Sequence, residues 1–175
     1  MILRIIIVAA LLIAAVLAFA AMKPDTFHLQ RSITIKAPPQ KIFALINDFH
    51  NWSAWEPQDK GDAGIQRTYS GPAAGVGAMS EWRGTGSTGK GRMLITESVP
   101  NGRVTVAVDF VKPFQAHNIN VFTLEPVGDS TTVTWNFEGA NVFVLKLMSV
   151  FVTMDRIMGD HFETGLENLK AAAER

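Results

Sequence analysis

The stretch that decides the fold is residues 142–173, VFVLKLMSVFVTMDRIMGDHFETGLENLKAAA. Large apolar side chains recur in it at steps of three and four, with charged residues between them, which is the pattern of an amphipathic helix. We therefore predict one long helix of about 45 Å, with Gly159 as a kink or a point of close packing. So wide an apolar stripe requires a partner layer. The stripe consists of Leu147, Phe151, Met154, Met158, Phe162, Leu166, Leu169 and Ala173.

The composition of the chain narrows its class. With 175 residues it can form one domain with a hydrophobic core, in addition to a short N-terminal segment. Lysine and arginine together number 16, as do aspartate and glutamate, so the net charge gives no reason to expect nucleic acid as a partner. Cysteine is absent, which excludes disulfide bonds, thiolate catalysis and cysteine metal sites.

The N-terminus carries a segment typical of membrane insertion. Residues 5–22 contain no charged side chain, and they are preceded by Arg4 and followed by Lys23. Their length favours a retained membrane anchor through residues 1–22, and the preceding positive charge predicts that the domain lies on the extracytoplasmic side. The alternative is a secretory signal, because the small residues at positions 18 and 20 fit a cleavage site, and cleavage would leave a secreted or periplasmic protein.

We assign residues 1–24 to this anchor or signal segment and residues 25–175 to one domain. Alternation of apolar and polar residues predicts a first strand over residues 27–36, and a proline pair then opens a short helix. A second brief helix or turn follows at residues 48–57. Short turns separate the later segments, which indicates an antiparallel meander closed by the long helix, in the order β-α-α-β-β-β-β-β-β-α. The later strands are predicted at residues 65–70, 77–83, 91–99, 103–111, 116–125 and 131–138.

The segment RSITIKAPPQKIFALINDF at residues 31–49, with the tryptophans that follow it, resembles a known family. Together with Glu81-Trp82 and with FETGLENLK at residues 162–170, it is similar to the pattern of the SRPBCC superfamily, the START-like or polyketide cyclase/dehydrase-like proteins. The resemblance implies an α+β helix-grip fold, in which a curved antiparallel sheet of about seven strands wraps around the C-terminal helix. It also implies a deep pocket between them that takes lipids, sterols, polyketides or other apolar molecules. Only some members of the family are enzymes.

The residue types indicate which side chains line such a pocket. Tyr69, Trp82 and Trp135 are aromatic residues with a polar atom, suited either to a pocket wall or to core packing. Methionine side chains suit a cavity that accepts ligands of different shapes. We expect the ligand-binding pocket to be lined by Tyr69, Trp82, Trp135, Phe110, Phe122, Phe151, Met154, Met158 and Phe162.

If the protein is an enzyme, its chemistry must come from polar residues of the strands. The candidate catalytic group is His117 with Asp109 or Glu97. A carboxylate buried among apolar residues acquires a raised pKa and can act as a general acid or base. The alternative is that these side chains face solvent on the convex side of the sheet, where they would support no such chemistry.

Two other motifs indicate little. The segment GTGSTG at residues 84–89 matches a dinucleotide-binding pattern, but an alternating strand follows it where a helix is needed, so we expect a flexible hairpin. The four histidines have no ligand spacing, so we predict no metal site and no cofactor.

The sequence leaves three functions open. The first is a membrane-tethered protein that binds a hydrophobic small molecule or lipid in an internal pocket, which the anchor and the Met-rich lining favour. The second is a cyclase/dehydratase-like enzyme, and the third is a protein-interaction or chaperone-like module with an exposed apolar patch. We expect the partners to be an apolar small molecule or lipid and the membrane, and no nucleic acid.

Overall fold

The computed structural model describes residues 1–57, 64–85, 88–112 and 115–175. Within these residues it consists of an N-terminal apolar helix and an α+β domain, in which a seven-stranded sheet packs against a C-terminal helix. The helices are α1 (Ile2–Ala21), α2 (Pro39–Ile46), a 3₁₀ helix (Phe49–Ala54), α3 (Phe143–Met148) and α4 (Met154–Ala173). The strands are β1 (Thr26–Ile35), β2 (Gln66–Ser70), β3 (Met79–Arg83), β4 (Lys90–Val99), β5 (Arg103–Lys112), β6 (Ala116–Val127) and β7 (Ser130–Ala140).

The strands pair antiparallel throughout, in the order β1-β7-β6-β5-β4-β3-β2. Strands β2 to β7 form a meander because consecutive strands pair directly, and β1 adds to β7 with Thr26 opposite Ala140. The register of β4 against β5 shifts between Ile95 and Glu97, and such bulges bend a sheet. The predicted helix-grip fold is confirmed, and each predicted strand lies within a few residues of an observed one.

One face of the sheet is buried and the other faces solvent, as the alternation along the strands dictates. In β5 the side chains of Val104, Val106 and Val108 are buried, whereas Thr105 and Ala107 between them are partly exposed. We call the buried side the inner face. It is covered by α2, the 3₁₀ helix and α4, so the hydrophobic core lies between these helices and the sheet.

Two tryptophans attach the 3₁₀ helix to α2. Pro39 is the first residue of α2, where its missing N–H costs nothing because that position has no intrahelical acceptor. The indole N–H of Trp52 donates to the carbonyl oxygen of Ile46 at 2.8 Å, and that of Trp55 donates to Leu45 at 3.1 Å. These bonds hold both short helices over the inner face.

The predicted single helix over residues 142–173 is wrong in its N-terminal third. Residues 149–153 form turns that separate α3 from α4. Thr153 has extended backbone angles, and its hydroxyl accepts a hydrogen bond from the backbone N–H of Arg156 at 3.3 Å, which starts a new helix. The β-branched residues just before it also have low helix propensity. The helix on the sheet is therefore 20 residues, about 30 Å, long.

The helix α1 is exposed along almost all of its length, and Ala20 near its end is buried. It is long and apolar enough to cross a membrane, a test that anchors and signal sequences both pass. It contacts α3, and residues 22–25 connect it to β1. The Lys146 ammonium lies 2.5 Å from the Asp25 carboxylate, and this hydrogen bond is the main reason why the pKa of Asp25 is lowered. The junction between α1 and the domain is therefore held by a specific contact.

Candidate functional site

Aromatic side chains pack into the hollow between α4 and the inner face of the sheet. The rings of Phe162 and Trp135 lie 4.1 Å apart between centroids, and Trp135 contacts Phe122 at 5.0 Å. On the other side of this pair, Trp55 lies 5.7 Å from Trp135, and Trp52 lies 6.0 Å from Phe122. All five side chains are buried. This part of the hollow is a packed core.

A cavity of about 60 Å³ remains beside the aromatic cluster. Since a water molecule takes up about 30 Å³, the cavity has room for roughly two waters in this conformation. A drug-sized ligand needs about 300 Å³ or more, so such a ligand requires the cavity to widen. Its walls are formed by Trp52, Glu56, Arg67, Trp82, Met93, Val108, Phe110, Asn120, Trp135, Phe137, Met158, His161 and Phe162.

Two ionisable side chains meet at the cavity wall. The Nε2 atom of His161 lies 2.9 Å from Oε1 of Glu56, a hydrogen-bond distance, and Glu56 is only 5% exposed. The Asn120 carboxamide oxygen accepts a hydrogen bond from the indole N–H of Trp135 at 2.7 Å, and Arg67 also reaches the wall. A buried carboxylate beside an imidazole can hold a polar group of a ligand or exchange a proton with it.

One further polar atom on the inner face has no partner among the described residues. Asn118 precedes Asn120 by two residues on β6, and both side chains are buried. The carboxamide oxygen of Asn118 accepts no hydrogen bond from the described part of the chain. A buried acceptor without a donor costs about 1–3 kcal/mol. Asn118 is not among the residues that line the cavity.

Most of the predicted pocket residues lie in or beside the cavity. Phe122 lies beneath the wall, in the aromatic cluster. Five other predicted residues are part of the cavity wall: Trp82, Phe110, Trp135, Met158 and Phe162.

The other three predicted pocket residues lie elsewhere. Tyr69 borders a separate depression of about 250 Å³, where its ring stacks on His50 with centroids 4.1 Å apart. Met154 borders a cleft beside α1, and Phe151, in the turns between α3 and α4, is 73% exposed. The break between α3 and α4 explains Phe151, because it removes this residue from the stripe that an unbroken helix would have placed against the sheet. Met154 is the first residue of α4, one turn before Met158, and lies at the cleft and not at the cavity.

The predicted catalytic candidates lie on the outer face of the sheet. Asp109 Oδ1 lies 2.5 Å from His117 Nδ1, and its Oδ2 accepts a hydrogen bond from Arg92 Nε at 2.8 Å. The bond with His117, followed by that with Arg92, lowers the pKa of Asp109, which is the opposite of the shift that burial among apolar residues would give. Glu97 accepts a hydrogen bond from the Thr105 hydroxyl at 2.7 Å, also outside the hollow. The structure thus brings His117 and Asp109 together, but away from the cavity.

The remaining sequence motifs concern metal and phosphate binding. Within the described residues, no group of three or more His, Asp or Glu side chains could hold a metal ion. The glycine-rich segment at residues 84–89 joins β3 to β4, and residues 86 and 87 lie outside the described part of the chain. The segment leads into strand β4, whereas phosphate binding of this type needs a helix that begins at the loop.

Sequence reasoning missed Glu56 and His161 as a pair. They are 105 positions apart in the sequence, and only the packing of α4 against the 3₁₀ helix brings them together. Each had a local signal. His161 directly precedes Phe162 of the apolar stripe, and Glu56 is enclosed by an aromatic residue and a proline in a segment expected to cover the core.

A sheet that grips a helix around an apolar cavity defines the class of helix-grip ligand-binding domains. Residues 26–174 match the family model described as "Polyketide cyclase / dehydrase and lipid transport". The chain therefore belongs to this family, and the predicted SRPBCC-type membership is confirmed. The chain matches none of the curated proteins with which it was compared.

Solved structures show the same fold at low sequence identity. Protein CV1439 from Chromobacterium violaceum has 20% identity and a TM-score of 0.60, over 87% of this chain and 99% of that one. The Aha1 dimer from Colwellia psychrerythraea has 24% identity and a TM-score of 0.56, over 85% and 96% of the two chains. Major latex-like protein 151 from Panax ginseng has 15% identity and a TM-score of 0.62, over 87% and 100%.

Proposed function

We propose that the protein binds a hydrophobic small molecule of the lipid class in the cavity between α4 and the sheet, while α1 holds it at a membrane. Family membership supports a ligand-binding domain. The observation that carries the proposal is the Glu56–His161 pair, a buried polar contact in the wall of an otherwise largely apolar cavity. Such a wall suits an amphiphile, whose apolar body needs the aromatic side chains and whose polar end needs a hydrogen-bonding partner.

The ligand enters by displacing the first turns of α4. In this part of the helix Asp155, Arg156 and Ile157 are exposed, and Met158 alone of the first five residues lines the cavity. A methionine side chain is flexible and readily changes its rotamer. Outward movement of Met158 widens the cavity.

The domain, residues 25–175, then lies on the extracytoplasmic side of the membrane. Arg4 and the α-amino group precede the apolar segment, and positive charge before a first span keeps the N-terminus in the cytoplasm. An intact mass of the chain purified from membranes tests whether α1 is retained. A mass that lacks the first two dozen residues would favour the secreted alternative.

Co-purified ligand tests the proposal. The full chain is purified in mild detergent, and its organic extract is analysed by mass spectrometry. We expect an apolar compound at near-stoichiometric amounts, and a loss of about tenfold in Met158→Trp, since the larger indole occupies the cavity. The control is Ile157→Trp, which adds the same side chain at the next position, on the exposed side of the helix. Wild-type protein without a bound compound, or equal retention by both variants, would contradict the proposal.

The Glu56–His161 pair also favours a second function, a cyclase/dehydratase-like enzyme. A buried carboxylate with an imidazole at 2.9 Å is a suitable general acid/base pair. In that case the extract should contain two compounds that differ by the mass of one water, and Glu56→Gln should leave only the heavier one. If Glu56→Gln only weakens retention of a single compound, by about tenfold for a lost charged hydrogen bond, the protein is a binder.

A further inference from the structure

We propose that a second apolar surface, formed by α3 and the turns after it, inserts into the same membrane that α1 enters. We name it the α3–α4 patch. The inference rests on the part of the proposed function that keeps α1 as an anchor. The members of the patch are Phe143, Val144, Met148, Phe151, Val152 and Ile157, and all are exposed.

The exposure of this patch is unusual for a domain surrounded by water. Phe151 is 73% exposed and Val144 is 54% exposed, and Met148 follows Val144 by one helical turn on the same face. Residues 141–154 contain a single charged side chain, Lys146. Contiguous apolar surfaces of this kind mark sites of contact with a membrane or another protein.

The patch lies beside the end of α1. The helix α3 contacts α1, and the carboxamide of Asn141 donates to the carbonyl oxygen of Pro24 at 3.0 Å. The backbone N–H of Asn141 donates to the Asp25 carbonyl at 2.7 Å, and the side chain of Asp25 binds Lys146. These contacts attach α3 to the short connection that leaves the membrane. If α1 spans the bilayer, α3 therefore lies at the level of the bilayer surface.

The charges around the patch suit a lipid surface. Lys146 is buried and paired with Asp25, and Asp155 is paired with Arg31 at 2.6 Å. Both carboxylates thus have a cation beside them, which reduces the cost of bringing them near hydrocarbon. Lys23 lies over the ring of Phe19 at 5.0 Å, so its long side chain places a positive charge at the end of α1, where headgroups begin.

A cleft of about 230 Å³ lies between the end of α1, α3 and the first turns of α4. Phe27, Leu145 and Met154 contribute apolar walls to it. On α4, Ile157 borders this cleft and the next residue, Met158, borders the ligand cavity. The patch and the cavity therefore occupy neighbouring faces of the same helical turns. A lipid that leaves the bilayer along α4 reaches the cavity without crossing water.

The far end of the domain offers a contrast. The ladder between β1 and β7 begins near α1, at Thr26, and ends at the pair of Ile35 and Thr131. Val127 lies near that second end, in the hairpin between β6 and β7. With ten residues in β1, this end is about 30 Å from the α1 junction. Val127 is as exposed as the patch residues, yet no comparable apolar neighbours surround it in the described residues. It is a matched aqueous control.

Site-directed spin labelling tests the inference, and the absence of cysteine from the chain makes single labels specific. The full chain is placed in nanodiscs of phosphatidylethanolamine and phosphatidylglycerol. Labels are attached to Phe151→Cys and Val144→Cys as reporters, to Leu12→Cys as the bilayer reference and to Val127→Cys as the aqueous control. Collision of each label with oxygen, which dissolves in lipid, is compared with collision with a water-soluble nickel chelate.

We expect both reporter labels to lose nickel collisions and gain oxygen collisions relative to Val127→Cys, as Leu12→Cys does. Reporter labels that match Val127→Cys while Leu12→Cys is immersed would overturn the inference and leave the patch as a surface for a partner protein. An aqueous label at Leu12→Cys would overturn both the anchor and the inference.

The same nanodisc preparation separates this inference from the proposed function, because its lipid extract shows whether a ligand is retained. Immersed reporters without a retained ligand contradict the proposed function alone. A retained ligand with aqueous reporters contradicts the α3–α4 patch alone.

Discussion

The two halves of α4 have opposite surroundings. In residues 162–173 the side chains of Phe162, Leu166 and Leu169 are at most 2% exposed, and the Asn168 carboxamide donates to the carbonyl oxygen of Trp55 at 3.1 Å. In residues 154–161 the glycine is buried, but the side chains are half-buried or exposed. One half is part of the core, whereas from the other half Met158 and His161 line the cavity.

In the function that we propose, this difference lets one helix serve both stability and ligand access. The second half carries the aromatic and aliphatic contacts that stabilise the fold, so it must stay in place. In the first half, Asp155 binds Arg31 of β1 at 2.6 Å, and His161 lies 2.9 Å from Glu56. Because the exposed ion pair of Asp155 contributes little to stability, we expect displacement of residues 154–158 to cost less than displacement of the second half.

Truncation of one apolar side chain in each half should show the largest contrast. Leu169 is completely buried, so Leu169→Ala should lower the free energy of unfolding by about 2–5 kcal/mol. Ile157 is half exposed, so Ile157→Ala should change it by about 0.5 kcal/mol or less. Urea unfolding of the full chain in detergent micelles, followed by tryptophan fluorescence, measures both. Equal losses would show that the two halves are packed alike.

Alanine in place of each helical glycine should give effects of opposite sign. A Cβ at Gly165 would lie 2.8 Å from the Trp135 ring, so Gly165→Ala should destabilise the protein by about 1–2 kcal/mol. At Gly159 the nearest atom, at 2.9 Å, is the end of the flexible Arg31 side chain. There the helix propensity of alanine should stabilise the protein by up to about 1 kcal/mol. Thermal unfolding midpoints of the two variants distinguish these signs. A midpoint that falls as far in Gly159→Ala as in Gly165→Ala would contradict the predicted difference between the two halves.

The smallest effect is expected at Arg31. The carboxylates of Asp155 and Glu163 are each about 60% exposed. Arg31→Gln should therefore lower the free energy of unfolding by less than about 1 kcal/mol. Molar salt should remove this difference between the variant and the wild type. Hydrogen exchange should nevertheless become faster in residues 154–161. Arg103→Gln, which removes a surface ion pair with Glu97, is the control and should leave this exchange unchanged. Unaltered exchange in Arg31→Gln would show that other contacts hold the first half in place.

Much of the fold could be predicted from the local pattern of apolar and polar residues. Alternation predicted the strands β5 and β6, and the spacing of Phe162, Leu166 and Leu169 predicted the buried stripe of α4. The break before Thr153 was not predicted, since the apolar spacing continues across it. Whether the helix breaks there depends on the threonine cap and on the packing of α3 against α1. Neither can be read from the spacing of apolar residues.

Less of the candidate site could be predicted from the sequence. The aromatic and methionine residues of the wall could be named because their size and type suit a cavity, and Trp82, Phe110 and Met158 do line it. The polar pair could not be named because its two members come from distant elements. Which face of β5 carried Asp109 was also undecided, since its neighbours Val108 and Phe110 are both apolar and the face follows only from the register of the whole sheet.

Photo-crosslinking tests most directly whether the cavity admits a lipid. The full chain in nanodiscs is irradiated with a palmitic acid that carries a diazirine at its end, and the adducts are mapped by peptide mass spectrometry. We predict adducts on inner-face wall residues such as Met93 and Val108, and their loss in Met158→Trp but not in Ile157→Trp. Adducts confined to α1 and residues 141–157, with none on the strands, would contradict the account, because the lipid would then contact the membrane-facing surface and never enter the hollow.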